Sequence, residues 1–228
     1  MQSILYEDNH LIIVNKACGE LAQTDTSGDM SLEQTVKDYL KSKYAKSGEV
    51  FLGVVHRVDR PVSGIVVFAR TSKAQLRLNQ MFQKKLIKKT YWAIVKDPPQ
   101  DASGTLIHYI VRNTKTNRSY AHLNERPGSK KATLHYRHLA SSDRYHLLEI
   151  DLETGRHHQI RCQLAAAGCP IRGDLKYGYP RSNPNGGISL HARQIEFTHP
   201  VKQAEIKLTA PLPDDALWKV FDQLFQLR

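Results

Sequence analysis

His56-Arg57-Val58-Asp59-Arg60-Pro61-Val62-Ser63-Gly64 lies between two apolar runs, Phe51-Leu52-Gly53-Val54-Val55 and Ile65-Val66-Val67-Phe68-Ala69. Both runs are short and rich in β-branched residues, which predicts strands. Pro61 and Gly64 punctuate the segment between them and predict a turn joining the two. That turn sets one carboxylate between two arginines. Spacing alone leaves two readings open. Asp59 is either a surface carboxylate paired with an arginine or a catalytic one, kept ionised by the flanking cations as a nucleophile or base requires.

Toward the N-terminus, Ile4-Leu5-Tyr6 and Leu11-Ile12-Ile13-Val14 flank a polar turn and predict a hairpin. After a loop running to Met30, Ser31 and Gln34 have the spacing of a capping box. Leu32, Val36, Tyr39 and Leu40 then share one helical face. Beyond the central turn a second helix is expected from Ser72, with Leu78, Met81, Phe82 and Leu86 as its buried stripe. Lys73, Arg77, Lys84, Lys85, Lys88 and Lys89 accompany it without one acidic residue. Opposite charges would support a helix better than this, so the run is either a solvated face or a surface for a polyanion.

Residues 90–95 and 104–112 predict two strands, and Asn113 to Ser129 a polar, basic loop that is either suited to a phosphate backbone or a mobile solvated loop. A second hairpin is expected from 132–136 and 145–152. Thr154 then reads as the N-cap of a helix ending near Gly168-Cys169-Pro170. On that helix His157, Ile160, Arg161 and Leu164 align. Arg161 therefore falls beside an apolar stripe, where an unpaired charge is costly; it needs a carboxylate partner, for which Asp59 is the candidate. Adjacent histidines on a helix point about 100° apart and serve one ion poorly. With no H-x-x-x-H or C-x-x-C spacing, no metal site is expected. The chain closes with a strand at 204–209 and a helix from Asp214 whose Leu217, Phe221, Leu224 and Phe225 are expected in the core.

The chain has 228 residues, a net charge of +11 and three cysteines, with no apolar run of membrane-spanning length. Its size allows one domain with a real core. The positive balance suits a polyanionic partner, although charge alone does not tell RNA from DNA or an anionic membrane. The cysteines, with no C-x-x-C pair, read as free buried thiols in a reducing compartment. No signal peptide is visible at the N-terminus, and a cytoplasmic location is expected.

Seven segments along the chain resemble one family. The central stretch is similar to the H-R-L-D-R-x-T-S-G signature of the RluA-type RNA pseudouridine synthases, with Val58 and Val62 as the departures. Lys16-Ala17-Cys18-Gly19 resembles that family's K-P-x-G, with Ala17 for Pro. Lys89-Thr90-Tyr91 resembles its K-x-Y. Thr154 to Arg161 resembles its T-G-R-x-H-Q-I-R, with His157 at the variable position. Ile171 to Gly178, Leu190 to Arg193 and Phe197 to Pro200 resemble its closing motifs. The likeness runs over about residues 4 to 213, with no extra N-terminal RNA-binding module expected before Ile4.

The resemblance implies an α+β pseudouridine synthase fold: a largely antiparallel mixed sheet flanked by helices, crossed by an active-site cleft, in a single catalytic domain over 1–228. It implies an isomerase acting on uridines of structured ribosomal or transfer RNA, as a monomer, without cofactor or metal. Asp59 would be the catalytic residue, Tyr91 would stack on the target base, and Arg161 would pair with Asp59. Arg57 is the candidate to fill the stack left by a flipped uridine. His56 and Arg60 would support the turn or touch phosphate, Leu190 would wall the base pocket, and Lys89 would border it. The rival reading is a catalytically inactive RNA-binding protein of the same fold.

Overall fold

The computed structural model describes residues 4–24 and 28–226. Residues 1–3 and part of the loop expected before Met30 lie outside them. In chain order the elements begin with β1 (Ile4–Glu7), β2 (Leu11–Lys16), α1 (Leu32–Lys43), β3 (Gly53–Val54), β4 (Ser63–Ala69) and α2 (Ser72–Gln83). There follow β5 (Lys88–Val95), β6 (Ser103–Asn113), β7 (Arg118–His122), β8 (Lys130–Ser141), β9 (His146–Leu152) and α3 (Gln159–Ala166). After a 3₁₀ turn at Leu175–Tyr177 come β10 (Leu190–Thr198), β11 (Glu205–Thr209) and α4 (Ala216–Gln226). Among the described residues no helix is long and apolar enough to cross a membrane.

These elements form two compact units. The first holds the residues up to Lys88 together with Ala192–Pro211; the second holds Lys89–His191 and the residues from Leu212 onward. In the first unit β1, β2, β4 and β10 are neighbours in order, with β11 against β10 and β3 against β4. The β2–β4 ladder runs from Leu11 opposite Ala69 to Lys16 opposite Gly64. Every residue of β4 is buried, as a strand with both faces covered requires. Helix α1 is capped as expected at Ser31, whose hydroxyl accepts the Gln34 N–H at 3.2 Å. The Gln34 side chain turns instead to Asp38, so only half of the capping box forms.

In the second unit the strand order is β5-β9-β8-β6-β7, antiparallel throughout. Trp92, Ile94, Leu139, Ala140, Leu147, Trp218 and Phe221 make one core cluster. A smaller one joins Ile110, Ala132, Cys162 and Tyr177. Both belong to an α+β fold.

Several expectations are corrected. The first predicted strand shrinks to Gly53–Val54, because Phe51 is exposed. The loop expected from Asn113 to Ser129 contains β7, which pairs with β6 from Asn113–Arg118 to Tyr109–His122. Its sequence alternates poorly in hydrophobicity, yet Ser119 is buried. Helix α2 ends at Gln83, so Leu86 lies beyond it and is exposed. Thr154 does not cap α3. The cap position is His158, in a left-handed conformation at φ 52°, and the helix starts one residue later. All of its first six residues are buried, so it has no single apolar stripe. On α4 the buried aromatics are Trp218 and Phe221, while Phe225 is largely exposed.

Candidate active site

The expected site residues divide between the units. His56, Arg57, Asp59 and Arg60 belong to the first; Lys89, Tyr91, Arg161 and Leu190 belong to the second.

In the first unit the Asp59 carbonyl accepts the Val62 N–H at 3.0 Å, closing the turn between β3 and β4. Nε2 of His56 accepts the Val67 N–H at 2.9 Å, and its ring lies 5.0 Å from that of Phe82. An accepting Nε2 carries no proton, so His56 here is a neutral ring that ties the turn to β4 and α2. Arg60 reaches the other way. Its Nε donates to the Gly19 carbonyl at 2.9 Å, and the Gly19 N–H returns a bond to the Arg60 carbonyl at 2.8 Å. A half-exposed ion pair with Asp29 at 2.7 Å completes its contacts.

Lys16 is the residue that the sequence does not single out. It is 1% exposed. Its Nζ donates to the carbonyls of Ala17 at 2.9 Å, Glu20 at 3.0 Å and Arg60 at 3.1 Å. Three donors meet three acceptors, which is what a buried ammonium demands. Burial lowers its pKa to about 8, against the opposing pull of Glu20, Cys18 and Asp59. The segment 16–20 and the turn 59–60 are thus one bonded body, with Asp59 within electrostatic range of the buried cation. Only the resemblance of Lys16 to the K-P-x-G motif marks it in the sequence; nothing in spacing predicts a buried lysine on a strand end.

Arg57 stands apart. It is exposed, and its guanidinium has no hydrogen-bond or ion-pair partner among the described residues. Its neighbours His56 and Arg60 are both engaged with protein, so Arg57 is the cation of the turn directed to solvent.

In the second unit Tyr91 sits in β5 opposite Ile150 of β9 and is 9% exposed. Burial lowers the pKa of Lys89, whose ammonium lies beside Gly155. Leu190 is buried at the start of β10. Arg161 is buried too, and its Nε and Nη2 donate to Asp174 Oδ2 and Oδ1 at 2.7 and 2.9 Å. Asp174 is thus one buried carboxylate partner of Arg161.

Tyr177 lies under the same arginine, with its ring centroid 5.0 Å from the Arg161 Cζ. Its hydroxyl accepts the Ser119 N–H at 2.8 Å and bonds His158 Nδ1 at 2.8 Å. Burial raises its pKa to about 12, so it is a neutral phenol. His157 stacks on its sequence neighbour His158, with ring centroids 3.8 Å apart, and bonds the Ser119 hydroxyl. The paired histidines thus serve hydrogen bonding. Among the described residues no group of three or more His, Cys, Asp or Glu could hold a metal ion.

Residues 10–166 match the protein family described as RNA pseudouridylate synthase. An uncharacterised RNA pseudouridine synthase of Bacillus subtilis is 35% identical over 218 residues, covering 93% of this chain and 69% of its own. The ribosomal large subunit pseudouridine synthase D of Vibrio cholerae is 34% identical over 228 residues, covering 93% and 68%. The tRNA pseudouridine synthase C of Pectobacterium carotovorum is 30% identical over 240 residues, covering 96% and 61%. The chain therefore spans between about three fifths and seven tenths of these relatives. The solved structure of human RNA pseudouridylate synthase domain containing 4 superposes with a TM-score of 0.78 at 23% identity, over 98% of this chain and 92% of that one. That likeness concerns the fold, and it agrees with the sheet and helix order described above. The family match and these identities together place the chain: it belongs to the RNA pseudouridine synthase family, whose members are isomerases acting on uridine in RNA.

Proposed function

We propose that this protein converts specific uridines of structured ribosomal or transfer RNA to pseudouridine, with Asp59 as the catalytic carboxylate. The observation that carries the reading is the turn itself. The residues around Asp59 are anchored, Arg60 by the buried Lys16 and by Gly19 and His56 by the Val67 N–H, a rigid setting suited to covalent or base chemistry. Relatives named as ribosomal and tRNA pseudouridine synthases supply the two substrate classes.

In the reaction the bond from uracil N1 to the ribose breaks and the base turns in place. Carbon 5 then joins the anomeric carbon, and its proton is released. Asp59 acts either by adding to the sugar or by taking the ribose 2′ proton. Tyr91 stacks on the uracil, and its hydroxyl assists removal of the carbon-5 proton. Leu190 walls the base and Lys89 borders it. Arg161 orients Asp59. The exposed guanidinium of Arg57, without a partner among the described residues, supports its role as the group that fills the stack when uridine is extruded. The same proposal covers a monomer working as one catalytic domain in the cytoplasm.

The experiment is pseudouridine mapping in total RNA from cells with and without the gene, complemented by the wild type or by the Asp59→Asn variant. Sites restored by the wild type alone support the reading. Sites restored by both would remove Asp59 from the chemistry, and no missing site in the deletion would favour an inactive RNA-binding protein.

A further inference from the structure

Gly173-Asp174-Leu175-Lys176-Tyr177-Gly178 is built around a single 3₁₀ turn, Leu175–Tyr177, with Asp174 at its N-cap. Residues three apart on such a turn eclipse one another, which sets Asp174 and Tyr177 on one side. Both face Arg161. Asp174 grips the Nε–Nη2 edge of the guanidinium with both carboxylate oxygens, at side-chain exposures of 5% for Arg161 and 1% for Asp174. Tyr177 lies beneath its Cζ.

The turn is itself fastened at both ends. The Tyr177 hydroxyl accepts from the Ser119 N–H and shares a second hydrogen bond with His158 Nδ1. That chain of bonds ties the turn to β7 and to the start of α3. Gly173, at φ 87°, leaves no room for a Cβ against the Asn183 side chain, and Gly178 is left-handed at φ 96°. Two glycines thus fix the backbone that presents Asp174 and Tyr177.

We propose that Asp174 and Tyr177 are positioning residues of the active site, holding the Arg161 guanidinium in one orientation before RNA arrives. The proposal rests on the reading above, in which Arg161 serves the catalytic carboxylate. A buried ion pair is a poor way to gain stability, since an apolar replacement of equal volume is often as stable. It is a good way to aim a guanidinium. Arginine has a long side chain with much rotamer freedom, and a bidentate fork over an aromatic floor removes that freedom in advance.

The test uses the whole protein and total rRNA and tRNA labelled with 5-tritiated uridine, taken from a strain lacking the gene. Tritium release reports substitution at carbon 5. Asp174→Asn should slow the single-turnover rate at saturating RNA by roughly 10- to 100-fold while RNA affinity stays within about threefold. Tyr177→Phe keeps the ring and loses the hydroxyl bonds, so it should lose stability and hold its rate within about threefold. Tyr177→Leu removes the ring and should fall like Asp174→Asn.

The deciding variant is the double Arg161→Met/Asp174→Asn, which leaves no uncompensated buried charge. If Asp174 acts through Arg161, the double is no slower than Arg161→Met alone. A further drop equal to that of Asp174→Asn, or wild-type rate in Asp174→Asn, overturns the proposal. Full turnover by Asp59→Asn would bring down the reading of the site, whereas additive losses at Arg161 and Asp174 would bring down this proposal alone.

Discussion

Gly64 closes directly on Ala192: a Cβ placed on the glycine would lie 2.5 Å from the Ala192 nitrogen and closer still to its carbonyl oxygen. The obstacle is backbone, which cannot rotate away. The glycine also sits at φ 112°, a region that L-residues with side chains rarely enter. It follows the turn carrying Asp59 as the second residue of β4. Gly64→Ala should destabilise the protein by about 3 kcal/mol or more, strain and overlap together. Urea unfolding measures it, and a loss below about 0.5 kcal/mol would mean that β4 shifts freely.

Asp59→Asn should abolish pseudouridine formation and leave RNA affinity within a few-fold of wild type, since phosphate contacts position RNA without making bonds. Filter binding beside tritium release separates the two effects. Near-wild-type turnover would remove Asp59 from the mechanism.

Lys16 gives stability a signature on the alkaline side. Burial brings its folded pKa to about 8, below the 10.5 of an unperturbed lysine. Between those values the unfolded chain holds a proton that the folded one has shed. This site's contribution to stability therefore rises with pH across the window, by roughly 3 kcal/mol in all. Lys16→Met should erase that rise relative to wild type, and parallel pH profiles for the two proteins would show that the lysine keeps its proton when buried.

Asp8 acts on the acid side. Burial opposes its charge, but the Lys202 ammonium, the His10 and Leu11 N–H groups and the Tyr6 hydroxyl hold it well below the usual carboxylate range. Its contribution is complete above the unperturbed value of 3.8 and is lost progressively as pH falls below it. Asp8→Asn should therefore cost stability at neutral pH and show a shallower acid limb. Equal acid limbs, measured by urea midpoints from neutral pH down to about 2, would count against the cluster.

Lys84, Lys85, Lys88, Lys130 and Lys131 are exposed and have no ion-pair partner among the described residues. Elsewhere exposed lysines do pair, as Lys43 with Glu7 and Lys219 with Asp214. If the five line the RNA path, neutralising them should weaken binding and flatten its salt dependence by roughly 0.7 per lost contact with a single strand. An unchanged slope would make them a solvated face.

Much of this architecture is legible in the sequence where burial is periodic. The Ile4–Val14 hairpin, the Ser31 cap and strand β4 follow from alternation and capping chemistry. Legibility fails where burial is polar. Strand β7 hides Ser119 between arginine and tyrosine and so reads as a loop. Helix α3 starts late because His158 takes a left-handed conformation, which no residue count foretells. The site divides in the same way. Asp59, Tyr91 and Arg161 stand out through motif resemblance. Lys16 and Asp174 lie in motifs too, but their burial and pairing do not show, because a buried charge is recognised by its partners, and those lie 44 residues from Lys16 at Arg60 and 13 residues from Asp174 at Arg161.

The first unit is discontinuous: β4 meets β2 and β3 early, but its further neighbour β10 is made only after residues 89–191. On a ribosome adding about 5–20 residues per second, that wait is on the order of 10 seconds. Throughout it, the edge of β4 that carries Ile65-Val66-Val67-Phe68 stands without its permanent mate, an apolar template open to any passing strand. Nascent chains of this protein should therefore need a chaperone most in the interval between the emergence of Ala69 and that of Thr198, and least once β10 has docked.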